Sequence, residues 1–139
     1  MGKVVFLAAV LCSVSVASAS AAISVPSHYL DQQRCLAVLN VANAAFATAE
    51  PSAFKPGTRE PVAREYDSMR AAIASWTTLT PQQVDKGLDH FEAELDHWLA
   101  AFGDANEDDM NLVFFDALFK RVEACKVIGG PLGSSVAGR

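Results

Sequence analysis

His90, Glu94 and His97 are spaced i, i+4 and i+7. On a helix turning 100° per residue they fall within about 60° of one another. Imidazole and carboxylate groups so arranged suit a divalent metal such as Zn or Cu. The surrounding pattern argues against a built site. Val84, Leu88, Phe91, Leu95, Trp98 and Phe102 alternate at four and three residues. The apolar seam they define centres between Phe91 and Leu95. Both histidines then lie about 120–140° away, on the solvent side. Three ligands on one exposed helix have no outer shell to orient them. The expectation is exposed histidines and no cofactor, with metal handling by His90, Glu94 and His97 as the alternative.

Other motifs stop short of chemistry. Glu94-x-x-His97 is half of a di-iron carboxylate set, and no second E-x-x-H occurs. Asp104, Asn106 and Asp108 match the first ligand positions of an EF-hand loop. The sixth position is Asp109 where glycine is needed, and the twelfth is Phe115 where glutamate is needed. There is no C-x-x-C-H for covalent haem and no G-x-S-x-G. No nucleophile–base set is evident, so an enzyme is not expected. Trp76, Trp98 and the phenylalanines read as core, with a small-ligand cavity in the bundle interior as a further alternative.

Charge is lopsided. The chain carries 11 basic and 16 acidic residues, net −5. Between Asp85 and Asp116 there are ten acidic residues and one basic, Lys86. Nucleic acid and anionic membrane are poor partners for such a surface. An acidic face including Asp104, Glu107, Asp108 and Asp109 reads first as a solvated surface that aids solubility, and otherwise as a docking surface for a basic partner or a cation.

Residues 1–21 read as a cleaved secretory signal peptide. Lys3 is the positive end, Val4 to Val16 the apolar run, and Ala17-Ser18-Ala19 or Ala19-Ser20-Ala21 the cleavage site. Leu11 before Cys12 argues against a lipid anchor. Processing leaves Cys35 and Cys125 in an oxidising compartment, periplasmic or extracellular, where a disulfide is expected. No second long apolar stretch follows, so no membrane insertion is expected after processing.

The elements that must position these residues are four helices. The first spans 28–49, with Ser27 as cap, and ends before Pro51. Pro51 to Thr58 is a turn-rich break. The second starts near Glu60-Pro61, with Val62, Tyr66, Met69, Ile73 and Trp76 as its seam. The third opens at Thr80-Pro81-Gln82-Gln83, a capping box, and stops at Gly103. The fourth runs from about Asn106 to Gly129. Its wide apolar arc predicts the most buried helix of the four. Residues 130–139 read as a flexible tail.

Connections of this length favour an up-and-down four-helix bundle. Such a bundle sets the start of the first helix beside the end of the last, where Cys35 and Cys125 sit. The predicted organisation is therefore one all-α domain over 22–129, pinned by Cys35–Cys125. The predicted role is a small exported non-enzymatic binding protein, monomer or homodimer, that presents a surface to a protein partner.

Overall fold

A computed structural model describes residues 23–48, 54–104 and 113–128. The predicted leader at 1–21 and tail at 130–139 lie outside the described residues. Helix α1 spans Ser27–Thr48, α2 Arg59–Ala74, α3 Pro81–Asp104 and α4 Phe115–Ile128. There is no strand among the described residues. The fourth predicted helix was placed from Asn106; residues 105–112 lie outside the described set.

The local signals account for the helix ends. Pro26 accepts the first α1 hydrogen bond, from Leu30 N, so Ser27 is the first helical residue and not the cap. Before α2, Lys55-Pro56-Gly57-Thr58 turns back on itself: Thr58 N donates to Lys55 O at 3.3 Å. Gly57 has φ 82°, a conformation open to glycine. At the start of α3 the capping box forms as predicted. Gln83 N donates to Thr80 Oγ1 at 3.2 Å, and Thr80 N donates to Gln83 Oε1 at 2.9 Å. Helix α2 ends at Ala74, two residues before Trp76 of its predicted seam, where Ser75 Oγ bonds back to Ala72 O. Trp76 thus leaves the helix and donates its indole N–H to Gln32 Oε1 at 2.7 Å.

Helix α1 is the hub. It packs on α2, α3 and α4, whereas those three touch one another sparsely. Its sequence explains this. Leu36, Val38, Leu39, Val41 and Phe46 point to different sides, and Ala37 and Ala42 let neighbours approach closely. A helix apolar all round is a buried helix. The most buried described helix is therefore α1, and not the fourth helix as its apolar arc suggested.

Chain direction alternates. Arg59, at the start of α2, donates to the carbonyl of Phe46 near the end of α1. Trp76, past the end of α2, meets Gln32 near the start of α1. Helix α2 is thus antiparallel to α1. Tyr29 meets Gly87, and Val41 shares a groove with Leu95, so α3 is parallel to α1. Phe46 meets Phe119 while Cys35 bonds to Cys125, so α4 is antiparallel. The result is an all-α, up-and-down four-helix bundle.

The core is built from Leu39, Phe46, Met69, Leu118, Val122 and the cystine. The Cys35–Cys125 disulfide has Cα atoms 5.5 Å apart and closes a separation of 90 residues. Both cysteines are fully buried. No buried side-chain nitrogen or oxygen among the described residues lacks a hydrogen-bond partner. No described helix is long and apolar enough to cross a membrane.

Candidate functional site

Helix α3 carries most of the candidate residues, and its orientation decides what they can do. Gly87 is buried against Tyr29: a Cβ there would lie 2.4 Å from the ring's Cε1. Trp98 is buried about three turns further along the same face. The packed arc of α3 therefore runs through Gly87, His90, Glu94, Trp98 and Ala101, all buried or half-buried. This differs from the predicted seam by roughly 80° of rotation. Val84, Leu88, Leu99 and Phe102 remain 38%, 46%, 53% and 47% exposed.

That rotation changes the reading of the predicted metal trio. His90 is not a solvent-facing histidine. It is half-buried between α1 and α3, with its Nδ1 2.9 Å from Arg34 Nη2. A guanidinium only donates, so Nδ1 is the acceptor and the ring proton sits on Nε2. Arg34 also pairs with Asp31 at 3.0 Å. Glu94 Oε1 accepts the indole N–H of Trp98 at 3.0 Å and lies 3.5 Å from Arg121 Nε of α4. His97 is exposed, with its ring edge-on to Trp98 at 5.6 Å between centroids. His90 therefore engages Arg34 through Nδ1, Glu94 engages Trp98 and Arg121 through Oε1, and His97 rests against Trp98. Among the described residues no three His, Cys, Asp or Glu side chains are grouped for metal binding.

The predicted acidic surface is described in part. Asp104 closes α3, and its side chain lies outside the described set, as do Glu107, Asp108 and Asp109. The acidic residues that can be placed are Asp85, Asp89, Glu92 and Asp96. All four are exposed. At 100° per residue they occupy an arc of about 60° on the outer side of α3. Lys86 pairs with Asp89 at 3.4 Å; Asp85, Glu92 and Asp96 make no ion pair among the described residues.

Between the acidic arc and the packed arc lies a third, apolar one: Val84, Leu88, Leu95, Leu99 and Phe102. Its lower half borders a groove of about 200 Å³ against α1. Leu95, Leu99, Phe102 and Phe114 face Val41 and Ala45 there, with Asn40, Ala44 and Thr48 completing the α1 wall. The lining is almost entirely apolar. Phe102, Phe114 and Trp98 stack edge-to-face at the groove's end, with centroids 5.5–5.9 Å apart. Sequence reasoning placed most of this arc in the core. The signal that pointed elsewhere was the small residues, Gly87 and Ala101, which mark the side of α3 that a neighbour can approach most closely.

No family model, curated protein or solved structure matches this chain. Its function is to be argued from this surface alone. The surface holds an acidic bank, an apolar arc and an uncharged wall in lateral order, on a scaffold tied by a buried cystine.

Proposed function

We propose that this chain is a small exported, non-enzymatic binding protein that offers the outer face of α3 to a basic protein partner. The observation that carries this reading is the acidic arc. Four exposed carboxylates share about 60° of one helix with a single lysine among them. Like charges so close repel one another, and an opposite charge from a partner relieves that. Export is supported by the leader-like residues 1–21 and by a disulfide of the kind that persists outside the reducing cytosol.

The test is affinity capture from the envelope and secreted fractions of the host, using the oxidised protein and a D85N/D89N/E92Q/D96N variant side by side. The expected result is one stoichiometric protein held by the parent, released as salt rises, and lost in the variant while its melting temperature is unchanged. Equal retention by parent and variant would refute the acidic-face reading. Salt sensitivity is expected because exposed charges are screened within about 8 Å at physiological ionic strength.

A further inference from the structure

We infer that the α1–α3 groove seats a basic amphipathic helix from another protein, its apolar anchors in the groove and its lysines or arginines against the acidic bank. This rests on the reading above and adds the shape and chemistry of the partner.

The apolar arc runs from Val84 to Phe102, close to five turns or about 27 Å. That matches a partner helix of about 18 residues. Its anchors would recur at i, i+3, i+4 and i+7, as in helix-in-groove recognition. The α1 wall supports close approach, because Ala44, Ala45 and Thr48 are short. Leu99 and Phe102 stand about half exposed at the rim, so a guest would cover apolar surface that water now wets.

Charge then selects the guest. The flanks are unlike: Asp85, Asp89, Glu92 and Asp96 run along the outer side of the upper part of the apolar arc, and α1 is uncharged from Cys35 to Thr48 beside the groove at its lower part. A helix with cations along one flank of its apolar face fits this asymmetry. A second copy of the chain fits poorly. Seated antiparallel on α3, it would bring its own acidic bank against this one, and each chain carries net −5.

The experiment uses the full-length protein in its oxidised form and a fluorescein-labelled 18-residue Leu/Lys peptide patterned as an amphipathic helix. Two controls share its length: the same composition scrambled to remove the helical periodicity, and a Leu/Glu version. Anisotropy titration is expected to show binding at least tenfold tighter than either control. L99S/F102S and D85N/D89N/E92Q/D96N should each weaken it at least tenfold while leaving the circular dichroism unchanged. Amide shift mapping on the parent protein needs no variant, and its largest changes are expected at Ala45, Leu95, Leu99 and Phe102.

Four results would overturn the inference. One is equal affinity for the scrambled peptide. Another is shift changes confined to the acidic arc, which would remove the groove and leave the acidic-face reading standing. A third is sedimentation showing a parent dimer that L99S/F102S makes monomeric, which would assign the groove to a second copy. The last is binding that emerges only in M110S/L112S, which would assign it to the chain's own residues 105–112. If the natural partner is retained by the charge-neutralised variant, the broader reading fails instead, whatever the peptide does.

Discussion

A single absent side chain, at Gly87, sets how α3 lies on α1. The ring of Tyr29 occupies the space a Cβ would take, and it cannot easily yield. Tyr29 is buried, its hydroxyl accepts from Gln33 Nε2 at 3.0 Å, and its ring meets Trp76 edge-on at 5.7 Å. Overpacking a site of this kind costs about 1–3 kcal/mol. Gly87→Ala also gains roughly 1 kcal/mol of helix propensity, which offsets part of that cost. Gly87→Val gains less from propensity and adds two methyl groups. The expected order of midpoints in urea is therefore parent, then Gly87→Ala, then Gly87→Val. A Gly87→Val protein as stable as the parent would show that Tyr29 is free to move. His90 and Glu94 belong to the same scale. His90 Nδ1 meets Arg34 of α1 and Glu94 Oε1 meets Arg121 of α4, so both residues join helices, and the face that spacing alone assigned to solvent is half-buried.

Among the helices, α1 carries stability and α3 carries surface. Leu39 is fully buried at the centre of α1, and Leu88 is nearly half exposed on α3. Leu39→Ala is expected to cost about 2–5 kcal/mol, since a cavity opens where several helices meet. Leu88→Ala should stay within about 0.5 kcal/mol. Urea denaturation of both variants checks this, and a large loss for Leu88→Ala would mean the apolar arc is packed. The same contrast shows what was legible beforehand. Helix number, the Thr80–Gln83 capping box and the meeting of Cys35 with Cys125 were readable because each depends on local chemistry or on chain direction. The facing side of α3 was not readable from hydrophobicity. The packed arc includes Gly87, His90 and Glu94, which a hydropathy pattern scores as outward. Their burial depends on a ring from α1 and two arginines far away in sequence. For the same reason the centrality of α1 was missed: its apolar residues are spread round the helix, so they form no stripe.

For the whole molecule the cystine is the strongest single constraint. It joins the first helix to the last across 90 residues. In the chain-entropy view a loop of that size is worth about 4–5 kcal/mol. Dithiothreitol is expected to lower the melting temperature by about 15 °C or more while the folded protein at low temperature keeps its helix content. Calorimetry with and without reductant decides it, and an unchanged transition would make the bridge irrelevant to stability. The groove lies on the α1–α3 seam, whereas the bridge joins α1 to α4. Reduction should therefore weaken the scaffold without removing any residue that lines the groove.

The hub arrangement also bears on how such a protein can change over generations. Folding information is concentrated in α1 and in the inward arcs that touch it. The outer arcs of α3 are coupled to the rest of the described fold mainly near Phe102, which packs on Phe114 just before α4, and elsewhere lie clear of α2 and α4. On the proposed reading, substitutions there would retune which helix is recognised while the fold stays as it is. Divergence is then expected to be fastest on the outer face of α3 and slowest in α1, so descendants would share a scaffold signature of buried alanines and two distant cysteines.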